Sequence, residues 1–202
     1  MQIKGRWQNL LPLLCLLLMA PAPGWSRENN LTATLALRQE YDSNLELRET
    51  DRRSGWYSVL RPGLQFSSRG RTDQWQARYL LGFRKNHTTG GESLDHNFLL
   101  SGEKAHSARR QTAVVNRFYV SDDSDFGDEP VADVDPQLSP RRTRERFLLN
   151  TFSLNSRYQF AARGTVTMAY ENRVLNNRVG TRDDYMRHHP RLIVSYGFSP
   201  RC

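Results

Sequence analysis

The chain has 202 residues, a formal net charge of +8 and a mean hydropathy of −0.70. That length allows one domain or a modest barrel, and that polarity excludes a bundle of transmembrane helices. Two cysteines, Cys15 and Cys202, leave no pair for an internal disulfide once an N-terminal leader is removed.

The leader is read first. Lys4 and Arg6 form a positive end, Leu10 to Met19 is an apolar run, and "APAPGWS" supplies small residues in A-x-A form at Ala20 and Ala22. This predicts a secretory signal peptide over residues 1–24, too short for a spanning helix. Its loss would leave a charge of +6, since Lys4 and Arg6 are its only charged residues. Leu14 before Cys15 is not the small residue a lipidation site needs. Residues 30–202 remain as one candidate domain.

Eight segments of roughly ten residues then alternate with period two, the signature of strands with one apolar face. In "LTATLALRQEY", Leu31, Ala33, Leu35, Leu37 and Tyr41 oppose Thr32, Thr34, Arg38 and Glu40. In "GWYSVLRPGLQFS", Trp56, Leu60, Leu64 and Phe66 oppose Arg61 and Gln65. In "QWQARYLLGFRK", Trp75, Ala77, Tyr79, Leu81 and Phe83 oppose Gln76, Arg78 and Arg84. In "LDHNFLLSGE", Leu94, Phe98 and Leu100 oppose Asp95, Asn97 and Glu103, with His96 interrupting the apolar side. The fifth segment, "QTAVVNRFYV", reads either way; placing Val114, Phe118 and Val120 outward sends Arg117 inward. "TFSLNSRYQFAARGTVTMAYENRV" holds two strands, with Phe152, Leu154, Tyr158, Phe160, Val166, Met168 and Tyr170 against Arg157, Glu171 and Arg173. In "YMRHHPRLIVSYGF", Leu192, Val194, Tyr196 and Phe198 oppose Arg187, Arg191 and Ser195. The proline of "RPG" at Arg61 to Gly63 removes a ladder donor, so a bulge or bend is expected there.

Connectors alternate as well. "DSNLELRETDRRS", "NHTTGGES", Ser121 to Arg144 and "LNNRVGTRDD" are long; "SRGRTD", "KAHSAR" and "AARG" are short. An up-and-down membrane barrel has tight turns at one end and long loops at the other. A soluble sandwich gives the same period with the apolar side inward, so periodicity alone does not choose. Strands of nine to eleven residues suit a tilted bilayer crossing. Aromatic residues near segment ends (Tyr41, Trp56, Trp75, Tyr170, Phe198) suit interfacial girdles. With the leader, these favour an all-β, antiparallel, up-and-down transmembrane barrel of about eight strands.

The run "YDSNLELRETDRRSGWYSVLRPGLQFSSRGRTDQWQARYLLGF" resembles the first hairpins of bacterial outer-membrane β-barrel proteins associated with exopolysaccharide and exosortase loci. A "YDSN" follows the first strand, "RPGL" precedes a short turn, and "DDYMRHHPRLIVSYGFSPR" is similar to a later hairpin of that family. The resemblance implies an outer-membrane barrel serving polysaccharide export as a pore, conduit or scaffold. Its implied partners are outer-membrane lipid, anionic polysaccharide and other export components. It supplies no catalytic residues. Family members carry further hairpins after the "FSPR" turn, so the chain is expected to be a closed eight-stranded barrel or the N-terminal part of a larger one.

The candidate lumen-lining residues are Arg38, Arg61, Arg78, Arg84, Arg117, Arg157, Arg173, Arg187 and Arg191, with Glu40, Asp95, Glu103 and Glu171. In an eight-stranded barrel such charges fill the interior and pair across strands. In a wider one, excess guanidinium favours anions and grips carboxylates bidentately. The acidic loop "SDDSDFGDEPVADVDPQLSP" lacks EF-hand spacing and reads as a solvated loop, with "RRTRER" following as a partner for it or for lipid phosphates. Five histidines invite a lipid hydrolase: His87 and His106 in connectors, His96, His188 and His189 in strands. No G-x-S-x-G occurs and no Ser/His/acid set follows from spacing, so no enzyme, cofactor, metal or nucleic-acid role is expected. The alternatives are a small outer-membrane barrel enzyme acting on lipid and a soluble periplasmic β-sandwich.

Overall fold

The computed structural model describes residues 27–44, 54–121, 146–177 and 184–198; the leader and most of the acidic loop lie outside them. The described residues form eight strands: β1 (Glu28–Asp42), β2 (Gly55–Arg69), β3 (Asp73–Asn86), β4 (Glu92–Ser107), β5 (Arg110–Ser121), β6 (Phe147–Ala161), β7 (Gly164–Asn177) and β8 (Tyr185–Tyr196). Each pairs antiparallel with the next, giving one sheet in the order β1 to β8. All eight predicted segments are strands, and each runs longer than the expected ten residues. The added residues, such as Glu28–Asn30 and Glu92–Ser93, are polar on both faces, so the alternation fades before the ladder does.

β1 and β8 do not pair with each other, and the sheet is open. A closed eight-stranded barrel was expected as one of two outcomes; the structure corrects it. The pairing of a first strand with a last one carries no local sequence signal, because it depends on how far the whole sheet curls.

Connectors segregate by side as expected. Residues 70–72, 108–109 and 162–163 join strands at one end, whereas 43–54, 87–91, 122–146 and 178–184 join them at the other. Local chemistry sets the turns. In the β4–β5 turn, Ser107 Oγ accepts from the backbone N–H of Arg109 and Arg110, at 3.2 and 3.1 Å. In the β3–β4 turn, Asn86 Oδ1 accepts from the N–H groups of Thr88 and Thr89, and Gly90 takes φ +73°, a conformation that side chains disfavour.

Pro62 forms no bulge, one of the two distortions expected there. It aligns with Leu35 of β1, while β2 and β3 lose two rungs between Leu60↔Phe83 and Gly63↔Leu80 without changing register. Irregularities occur instead beside short turns, at Ala105/Ser107 and Gln159/Ala161.

Glycine also admits one close aromatic contact. A Cβ on Gly102 of β4 would lie 2.2 Å from Trp75 Cε3 and Cζ3, so the indole rests across this glycine on the cross-strand neighbour. Trp75 is further held by Nε1–H donation to Asp73 Oδ2 at 3.1 Å, and Asp73 by Arg27 at 2.8 Å. Gly102→Val is expected to force the indole out, at about 1–3 kcal/mol. Denaturant midpoints of the variant and of the relieved pair Trp75→Ala/Gly102→Val would check this, the pair losing less than the sum of its parts.

Candidate functional site

The register divides the sheet into two chemically different faces. Partnered residues share a face, so the apolar set can be followed from strand to strand. Ala33 aligns with Leu64, Leu64 with Tyr79, Tyr79 with Phe98, and Phe98 with Phe118. Val114 aligns with Leu154, Leu154 with Tyr170, and Met168 with Leu192. The ambiguous fifth segment thus takes the expected orientation, with Val114, Phe118 and Val120 on the apolar face.

This face is left uncovered. Leu35 is 72% exposed, Leu64 49% and Val194 63%, with Leu31, Leu37, Met168 and Leu192 similarly open. The described residues form a single sheet, and no second layer among them covers it, as a sandwich would require. Tyr41 and Trp56 pack at 5.2 Å at the long-connector end, and Phe160, Tyr196 and Phe198 form a chain of ring contacts at the other. Tyr170 departs from its expected place at a strand end. It lies mid-strand, where its hydroxyl meets His188 Nδ1 at 2.7 Å. Tyr79 and His96 repeat that arrangement on β3 and β4, also at 2.7 Å, which explains how His96 is accommodated among apolar residues.

The opposite face carries every predicted lumen residue. Its central row runs Gln65, Arg78, Leu99, Arg117, Thr151, Arg173 and Arg187, one residue from each of β2 to β8. Four guanidinium groups therefore share one row across the sheet. Arg173 and Arg187 are direct neighbours, a repulsive placement eased by Glu171, 3.5 Å from Arg173 Nη2. Arg61 aligns with Ala36, Arg157 with Gln111 and Thr167, and Arg191 with Ala169, so these three lie outside that row.

Pairing of the charges differs from the expected cross-strand pattern. Arg38 meets Glu40 and Arg173 meets Glu171 within their own strands, two residues apart and hence on the same face. Glu103 accepts from Gln74 Nε2 at 3.1 Å and from Gln111 rather than from an arginine. Across strands, Arg84 approaches Asp95 at 3.9 Å, both side chains buried, with the guanidinium also 5.4 Å from the Tyr57 ring centroid.

The sequence reading missed what surrounds that pair. Tyr119, Phe147 (0% exposed), Leu149 and Leu175 form a buried cluster with Tyr185 against it, and Tyr57 and Val59 form a second. Both lie on the polar face at the long-connector end. Apolar residues on the polar parity near strand ends were the available signal. At the short-turn end the polar face holds a cavity of about 420 Å³ lined by Asn30, Ser67, Gln76, Ser101, Glu28 and Arg69, among others. Arg69 belongs to this face and was not predicted to.

His106 lies in β4 rather than a connector and meets Thr112 at 3.2 Å; His87 meets Ser58 Oγ at 2.9 Å. No carboxylate orients His87 among the described residues, so a Ser/His/acid arrangement is not assembled there.

No family model, curated protein or solved structure matches the chain.

Proposed function

We propose that the sheet is the wall of an outer-membrane β-barrel, with the apolar face against lipid hydrocarbon and the arginine-rich face lining an enclosed interior. Its role is that of a pore, conduit or scaffold, and its interior favours anionic solutes. One observation carries this reading: large apolar side chains stay exposed on one face over seven of the eight strands, β5 being half-buried, while nearly all buried side chains lie on the other. A soluble protein does not leave so broad a greasy face to water.

The height of the apolar face supports the same reading. Leu31 to Tyr41 on β1 spans ten residue steps, or about 33 Å at about 3.3 Å per residue. Tilted by about 40°, that is about 25 Å of vertical rise, the height of the apolar band on outer-membrane barrels. The likeness of "YDSN" and "RPGL" to exopolysaccharide-associated barrels adds an acidic surface polysaccharide as the proposed cargo. A carboxylate-bearing chain would meet the guanidinium row in the fork geometry that arginine favours.

Membrane fractionation with heat-modifiable gel mobility tests the reading. The protein is expected in the membrane pellet after carbonate washing, and to migrate differently before and after boiling. Recovery in the aqueous fraction would overturn it. In planar bilayers, replacing Arg78, Arg117 and Arg173 singly and then together by glutamine is expected to shift the reversal potential stepwise towards cations. An unchanged anion preference in the triple variant would remove the arginine row from the conduit's chemistry.

A further inference from the structure

The two ends of the sheet raise a problem that the two faces do not. β1 and β8 are each paired on one side, and their residues are exposed on both faces along most of their lengths. About half the backbone N–H and C=O groups of an edge strand point away from its partner. Water satisfies them in a soluble protein. In hydrocarbon nothing does, and open sheet edges are not tolerated there. On the membrane reading above, on which this inference rests, both edges must be covered by another strand.

We infer that they are covered by a second copy of this chain, β8 of each copy pairing antiparallel with β1 of the other. Three observations point to that occupant. Among the described residues the strand count is even, so β8 runs opposite to β1, and a neighbouring copy continues the up-and-down order with every short turn at the same end. The polar side of β8 is basic, with Arg187, His189 and Arg191, whereas the acids of β1 on that side, Glu40, Asp42 and Glu28, outnumber its one arginine, Arg38, which meets Glu40 and falls opposite His189. The apolar sides also match.

Levelling the strands at the long-connector end sets Tyr185 against Asp42 of the second copy and fixes every other neighbour. Arg187 then lies beside Glu40 on the polar face. On the apolar face Leu192 lies beside Leu35, Val194 beside Ala33, and Tyr196 beside Leu31. A one-residue slip would invert β8 and place its arginines in lipid, so the faces themselves enforce the register. Pro190 removes one donor from this ladder and leaves the rest intact.

Two copies joined at both seams supply sixteen strands, a size that encloses an aqueous channel rather than a packed interior. The arginine row of one copy and that of the other would then face a common lumen that neither encloses alone.

Paired cysteine variants test this in the full chain with Cys15 and Cys202 replaced by serine. Leu35→Cys and Leu192→Cys are expressed separately and together, and membranes are treated with a short bis-maleimide. A product of twice the monomer mass is expected only when both variants share the cell. Arg187→Glu should reduce it several-fold, and adding Glu40→Arg should restore it. A cross-linked monomer from the double variant Leu35→Cys/Leu192→Cys would overturn the inference in favour of closure within one chain. Absence of any product in protein that pellets with membranes and keeps heat-modifiable mobility would overturn it while leaving the membrane reading intact. Recovery in the aqueous fraction would instead defeat the membrane reading, on which the inference depends.

Discussion

Replacing Asp95 with leucine is expected to destabilise the folded sheet by about 3–5 kcal/mol, because it removes the carboxylate that faces the buried Arg84 guanidinium. Asp95 is 1% exposed, and Arg84, 3.9 Å away, is 8% exposed. The Tyr57 ring on one side and the neighbouring buried residues Val59 and Asn97 limit access of water to the pair. The native pair itself contributes little net stability, since desolvating two charges offsets most of their attraction. The cost appears when one partner goes. The double variant Arg84→Met/Asp95→Leu should therefore recover most of the loss. Urea midpoints of refolding into lipid vesicles would measure all three variants. Equal losses in the single and double variants would mean that the pair acts through packing alone.

A charge on the apolar face should cost nearly as much, and for a different reason. Leu64 lies near the middle of β2, half exposed, with Ala33 and Tyr79 as same-face neighbours. On the membrane reading Leu64 sits near the bilayer midplane, and Leu64→Arg is then expected to cost about 2–4 kcal/mol. The adjacent substitution Gln65→Glu points to the other face, beside Arg78, and should stay within about 0.5 kcal/mol. In a soluble sheet the order would reverse: arginine at position 64 would be neutral or would improve solubility. The same vesicle titration separates these cases, and the contrast between adjacent residues removes general effects of adding a charge.

The faces of this sheet were legible in the sequence because period-two alternation maps directly onto the pleat. Leu31 to Tyr41 and Trp75 to Phe83 could be assigned without any knowledge of pairing, and Arg117 resolved the fifth strand, whose apolar residues alternate poorly. Strand ends were less legible. At Glu28–Asn30 and Glu92–Ser93 both faces are polar, so hydrogen bonding continues after the hydrophobic signal has stopped. The buried cluster on the polar face escaped for the opposite reason. Tyr57, Val59, Tyr119 and Leu149 look like interruptions when each strand is read alone, and only the register brings Tyr119, Leu149 and Leu175 into one row.

Charge pairing was the least legible feature of the candidate site. Composition supplied the right residues for the polar face, but not whether an arginine meets a carboxylate two positions along its own strand or one on the next. Arg38 with Glu40 and Arg84 with Asp95 take different routes to the same end. The central row of Arg78, Arg117, Arg173 and Arg187 depends on six successive registers, each set by turns and bulges outside the alternating segments.

A nitroxide scan along β2, one label at each position from 56 to 68 in the membrane-reconstituted protein, addresses the orientation of the faces most directly. Labels at even positions from Trp56 to Phe66 should collide readily with oxygen dissolved in the lipid and poorly with a water-soluble nickel complex. Labels at odd positions should be shielded from oxygen. A scan in which Leu60, Leu64 and Phe66 are reached by nickel as easily as Arg61 and Gln65, or are shielded from both reagents, would contradict a hydrocarbon-facing sheet.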